Sequence, residues 1–238
     1  MKIKFLSALE TANVPPALAA LPRLNVIYAG DFKVKPEEVT PAMVSERAKK
    51  MPAGPICLDI EEGDNRFIDP GVITRNNERC KALRKSGRIS TGIYGETLKV
   101  NYKNAIGATG DWNIVTRKMA AACGIGSVAT ARCLDAYLWG EGLIDQAIAA
   151  GVEAIRSPRG RPRWVFVCGR IGRGEKAGTP LKPGEFTRLV KGIASAMEVG
   201  RGDRFVLWDS RWDSAAGKAL EFSVIDGPWS GEVQEMLL

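Results

Sequence analysis

The chain contains no histidine. That absence excludes Ser-His-Asp hydrolysis, HExxH metalloprotease chemistry, a histidine general base and most zinc or iron centres. Any catalysis must rest on carboxylates, Tyr, Lys, Cys, Ser or a cofactor. Long apolar runs are also missing. Nothing approaches the roughly 18 consecutive apolar residues that a membrane helix needs, so no membrane partner is expected. Cysteine is scarce. The five that occur, Cys57, Cys80, Cys123, Cys133 and Cys168, are odd in number, widely spaced and without a CxxC pair. They read as buried free thiols rather than a disulfide or zinc framework. The start, Met1–Glu10, is too short and broken for a signal peptide. Synthesis in a reducing cytoplasm is the expectation, with later release or attachment to a particle left open.

What is present is a basic, moderately hydrophobic chain. Its 238 residues are 45% hydrophobic and carry a net charge of +7. Apolar, β-rich runs alternate with helical patterns along its whole length. The strands read from the sequence are 24–29, 55–60, 89–94, 131–139, 163–168 and 204–208, with 2–6 as an additional first strand and 222–225 as a short last one. Several are nearly continuous apolar runs, as expected of parallel strands covered on both faces. Helices are expected at 41–50, 70–85, 111–123, 143–156 and 183–198. Thr40 before Pro41 and Asp69 before Pro70 offer N-caps, and Gly87 suits a helix end. Strand starts recur at roughly 30–45 residues, the length of a βα unit with its loops. The pattern predicts an α/β fold, a single TIM-type (β/α) barrel domain over residues 1–238 with seven or eight parallel strands. An open doubly wound sheet is the alternative.

One strand ends in acid: Leu58-Asp59-Ile60-Glu61-Glu62-Gly63-Asp64. Side chains alternate along a strand, so Cys57, Asp59 and Glu61 are expected on one face and Glu62 on the other, with the Cα atoms of Asp59 and Glu61 roughly 6.5–7 Å apart. In a barrel the C-terminal rim is where active sites sit. Two carboxylates this close titrate as a coupled pair, and a protonated carboxyl beside an ionised one is what glycoside hydrolysis requires. Two other readings stay open. Asp59 caps a loop while Glu61, Glu62 and Asp64 form a solvated turn, or Asp59, Glu61 and Asp64 bind a divalent cation through hard oxygens.

Other expected strand ends carry residues suited to a sugar. Tyr94 and Glu96 end one run; Asp135, Tyr137 and Trp139 share a face at the end of another; Trp208 and Asp209 end a third, which runs on through Ser210-Arg211-Trp212. Aromatic rings stack on the C–H faces of pyranoses, while carboxylates and arginine bind hydroxyls. The same residues could instead close a barrel mouth, with their polar tips reaching water.

Asp59-Ile60-Glu61-Glu62 after an apolar strand resembles the D-x-E-E strand end of hyaluronidase-like glycosidases. Val206-Leu207-Trp208-Asp209-Ser210-Arg211-Trp212 is similar to the Trp-bearing last barrel strand of that group. More loosely, D-x-E at a barrel strand end is similar to barrel-type phage and bacterial lysozymes. The motifs cover under a tenth of the chain. The resemblance implies a glycoside hydrolase in which Glu61 is the general acid and Asp59 orients a substrate acetamido group that acts as internal nucleophile. Tyr137 and Trp208 would line the subsite. The chain departs from secreted hyaluronidases in lacking a disulfide framework and a signal peptide.

The expected partner is thus carbohydrate, and the positive charge admits an anionic one. No cofactor and no resident metal are expected, and nucleic acid has only an arginine cluster in its favour (Arg156, Arg159, Arg161, Arg163, Arg170 and Arg173), with no recognisable module. That cluster otherwise reads as a solvated loop. Gly169-Arg170-Ile171-Gly172-Arg173-Gly174 could form a phosphate nest but lacks the G-K-[ST] ending of a P-loop. Gly124-Ile125-Gly126-Ser127-Val128-Ala129 mimics a dinucleotide fingerprint but follows a helical stretch. A non-catalytic glycan-binding or structural barrel, such as a phage particle component, is the rival to an enzyme. A phosphate-handling barrel using Arg170 and Arg173 is a third reading.

Overall fold

Most of the apolar runs become strands in the computed structural model, which describes residues 3–9, 14, 16–62, 69–88, 90–94, 129–138, 140–156, 161–171, 178–198, 202–208, 212–213, 218–219 and 229–237. In chain order these are β1 (Phe5–Ser7), α1 (Pro16–Ala19), β2 (Asn25–Tyr28), α2 (Pro41–Lys49), β3 (Ile56–Asp59), α3 (Pro70–Lys85), β4 (Thr91–Ile93) and β5 (Arg132–Asp135). There follow α4 (Ile144–Arg156), β6 (Arg163–Val167), α5 (Glu185–Ala194), β7 (Arg204–Leu207), β8 (Trp212–Asp213), β9 (Lys218–Ala219) and α6 (Trp229–Leu237). The expected helix at 111–123 and strand at 222–225 lie outside the described residues.

The strands form a three-stranded sheet of order β2-β3-β4, a four-stranded sheet of order β1-β7-β6-β5 and the antiparallel pair β8-β9. The pairings β1–β7, β2–β3 and β3–β4 are parallel. The fold is therefore α/β with parallel strands, which the described residues form as a three-stranded and a four-stranded sheet. Packing groups the chain into two compact units. One comprises Met1–Pro22, Ala136–Arg159 and Val165–Leu238, and the other Arg23–Asp135 and Gly160–Trp164.

In the second unit, helix starts follow their caps. Thr40 Oγ1 accepts from the Met43 amide at 3.2 Å, and Asp69 Oδ1 accepts from the Gly71 and Val72 amides at 2.7 and 3.2 Å. Each cap satisfies amides that a helix start leaves without an intrahelical partner. Ile56, Leu58 and Ile60 pack with Val44 and Ala48 of α2 and with Cys80 and Leu83 of α3. Alternation therefore turns Cys57 and Asp59 to the opposite face of β3. There Cys57 Sγ lies 3.4 Å from Cys133 Sγ of β5, with Gly92 of β4 in register beside Cys57. The four described cysteines, Cys57, Cys80, Cys133 and Cys168, are buried free thiols.

In the first unit, α5 buries Phe186, Leu189, Val190, Ile193 and Ala194 along one stripe. Its start is closed by α6, where the Glu232 carboxylate accepts from the Gly184 and Thr187 amides at 2.8 and 2.6 Å. Helices α4 and α5 approach closely, and a Cβ on Gly151 or Gly192 would fall 2.7 or 2.8 Å from an isoleucine of the other helix. No described helix is long and apolar enough to cross a membrane.

Candidate active site at the end of strand β3

Strand β3 enters its acidic end with the residues of one face committed to the helices. Register places Tyr28, the last residue of β2, directly beside Asp59, so their side chains leave the sheet on the same face. The Tyr94 amide donates to the Leu58 carbonyl at 2.7 Å and brings the residue after β4 to the same sheet end. Asp59 is half-buried, Ile60 buried, Glu61 exposed and Glu62 buried. The regular strand stops at Asp59, so Glu61 stands two residues beyond it. Tyr28 and Asp59 end neighbouring parallel strands, and Glu61 and Tyr94 stand just beyond such ends. Carboxylates in such a setting can transfer protons to and from a bound substrate.

Glu62 is not part of a solvated turn. It points away from the Asp59 face and is held in a buried ion-pair cluster contributed by α3. Glu62 Oε2 accepts from Arg75 Nε at 2.8 Å and Nη2 at 2.5 Å, and Oε1 accepts from Arg79 Nη1. Arg79, whose side chain is 1% exposed, donates onward to Asn76 Oδ1 at 2.9 Å, to the Val39 carbonyl at 2.8 Å and to the Pro36 carbonyl at 2.8 Å. A buried charge has to be paired and hydrogen-bonded, and this one is, through both carboxylate oxygens. The hydrogen bond to Glu62 pushes the Arg75 guanidinium pKa above its usual value, so it stays charged at any working pH.

Tyr137 and Trp208, expected at the ends of two further strands, come together in the first unit. Their ring centroids are 5.3 Å apart and the rings are tilted by 30°, a separation within the range of favourable aromatic pairs. Tyr137 is buried and Trp208 half-buried, and the Trp208 amide donates to the Val167 carbonyl at 3.0 Å. The expected strand 131–139 is shorter than its apolar run. It stops at Asp135, and Leu138 returns as an isolated bridge to Ile171. Glu96, Trp139, Asp209 and Asp64 lie outside the described residues, as does the side chain of Asp135. Trp212 belongs not to β7 but to the separate pair β8-β9.

The arginine cluster is not simply a solvated loop. Arg163 and Arg170 are buried, Arg170 Nη1 donates to the Gly178 carbonyl at 3.0 Å, and Arg161 Nη1 donates to the Ala129 carbonyl at 3.0 Å. Guanidiniums in these roles hold loops to the sheets. Arg170 is thereby turned to its own loop, which weighs against the phosphate reading; Arg173 lies outside the described residues. Among the described residues no group of three or more acidic or cysteine side chains could hold a metal.

Sequence reasoning passed over Tyr28, although its place at the end of the apolar run 24–29 follows the rule that picked out Tyr94. It also passed over Arg75 and Arg79, whose spacing on a helix carries no mark of their common partner.

Parallel strands followed by helices define an α/β fold, and a solved TIM-barrel structure shares it. This is bee venom hyaluronidase, solved in complex with a hyaluronic acid tetramer, to which the chain is similar with a TM-score of 0.54 and 10% identity over 78% of each chain. At that identity the likeness shows a distant relationship of fold. No protein-family model matches the chain, and no curated protein matches it in sequence.

Proposed function

We propose that the chain is a glycoside hydrolase built as one (β/α) barrel, cleaving a polysaccharide or glycan with Glu61 as general acid and Asp59 as its partner. One observation carries this reading. The acidic segment Asp59-Ile60-Glu61-Glu62 begins at the last residue of a parallel strand, with Asp59 on the face turned from the helices, in a chain whose fold resembles that of a hyaluronidase. Glu61 protonates the departing glycosidic oxygen. The substrate acetamido oxygen, oriented by Asp59, attacks the anomeric carbon as that bond breaks, and water then opens the cyclic intermediate. Tyr94 offers a ring face for a sugar, and the Tyr137–Trp208 pair of the first unit offers another of its own; Glu96, Asp135, Trp139 and Asp209 are proposed as further sugar-binding groups. The net charge of +7 suits an anionic chain such as hyaluronan.

The test is a panel of hyaluronan, chondroitin, chitin oligomers and peptidoglycan, followed both by reducing-end release and by calorimetric binding. Release of new ends from an N-acetylated member supports the hydrolase. Binding without release from any member assigns the barrel to glycan attachment instead, and neither binding nor release removes carbohydrate from the account.

A further inference from the structure

We propose that Glu62 is the positioning residue of this site, holding Glu61 at the end of β3 through the two arginines of α3. The inference rests on Glu61 as the acid of the reaction proposed above. Along the strand end Asp59 is half-buried, Ile60 buried, Glu61 exposed and Glu62 buried. Glu61 stands beyond the regular strand, and the residues on both sides of it are anchored. On one side Ile60 is fixed in the apolar cluster beneath α2 and α3. On the other, Glu62 is gripped at both carboxylate oxygens by Arg75 and Arg79.

Stability alone does not explain that arrangement, because an apolar filling of the same volume often serves as well as a buried ion pair. What the ion pair supplies is direction. The planar guanidinium of Arg79 is engaged on Glu62, on Asn76 and on the carbonyls of Pro36 and Val39, so it ties the end of β3 to α3 and to the segment that follows β2. That segment follows Tyr28, the register neighbour of Asp59. One guanidinium thus ties the end of β3, which carries Asp59 and Glu61, to the loop that leads from β2 to α2. A reacting group displaced by about 1 Å can lose roughly 10²-fold in rate, so such an anchor is a direct determinant of turnover.

Two variants test the proposal. Glu62→Gln removes the charge that both arginines hold, and Arg75→Gln removes only the half-exposed arm while leaving Arg79 in place. On a glycan that the wild type cleaves, the expected result is a kcat lowered by about 10²-fold in Glu62→Gln, a smaller drop in Arg75→Gln, and KM unchanged in both. Wild-type kcat in a natively folded Glu62→Gln overturns the proposal; should that variant not fold, wild-type kcat in Arg75→Gln does so. If the wild type cleaves no glycan, the hydrolase reading fails by itself, and amide relaxation decides the positioning. The Glu61 order parameter should then fall from the rigid range of about 0.85 toward 0.6 in Arg75→Gln, and an unchanged value overturns the proposal.

Discussion

Replacing Gly92 by alanine probes the face of the second unit's sheet that also carries Asp59. A Cβ on Gly92 would lie 2.3 Å from Cys133 Sγ and 3.0 and 3.1 Å from Cζ3 and Cε3 of Trp164. Relaxed contacts between heavy atoms fall near 3.5–4.0 Å, so the sulfur would have to retreat by more than about 1 Å. It has little room to do so. Cys57 Sγ sits 3.4 Å away, and Cys57, Cys133 and Trp164 are all buried. Overpacking of this kind costs about 1–3 kcal/mol. In a domain of this size each kcal/mol lowers Tm by about 2–4 °C, so a loss of ~2 kcal/mol should appear as about 4–8 °C in a thermal melt followed by circular dichroism. The double variant Gly92→Ala with Cys133→Ala removes the obstructing sulfur. It should recover part of the loss, with a coupling of about 0.5–3 kcal/mol in a double-mutant cycle. A Gly92→Ala protein that melts with the wild type, or a cycle with no coupling, would refute the packing described for β3, β4 and β5.

Asp69→Ala removes the cap of α3, the helix that presents Arg75 and Arg79, and should cost about 1 kcal/mol in urea denaturation; wild-type stability would show that the cap contributes nothing. Trp208→Ala removes the ring pair with Tyr137, worth about 0.5–1.5 kcal/mol beyond its buried area. The same change should weaken oligosaccharide binding in calorimetry, and wild-type affinity would take Trp208 out of the sugar site.

Much of the fold was legible because apolar runs and their punctuation are local signals. The runs at 24–29, 55–60, 163–168 and 204–208 contain β2, β3, β6 and β7, and α2 and α3 start at the prolines that follow Thr40 and Asp69. Strand length was less legible. Apart from Arg132 and Asp135 the run 131–139 is apolar, yet the strand stops at Asp135, where the Ala136 amide donates to the Phe166 carbonyl at 2.8 Å. Apolarity marks burial, and burial continues past the point where the regular ladder ends. The environment of Glu62 was not legible at all. Its partners stand 13 and 17 residues later on α3, and only the packed helix brings their guanidiniums to it. Arg161 and Arg170 make the same point, since a run of arginines reads as solvated until the backbone carbonyls that they serve are in place. The acidic strand end itself was visible as a motif, and the structure adds which of its carboxylates is exposed, which half-buried and which is tied down.

The role proposed for Glu61 as the acid of a glycosidase stands or falls on the release of new reducing ends from hyaluronan by wild type and Glu61→Gln. Steady release is expected from the wild type and a rate lower by about 10²–10⁴-fold from Glu61→Gln, with the fold and oligosaccharide binding retained. Equal rates for the two proteins would remove Glu61 from the chemistry.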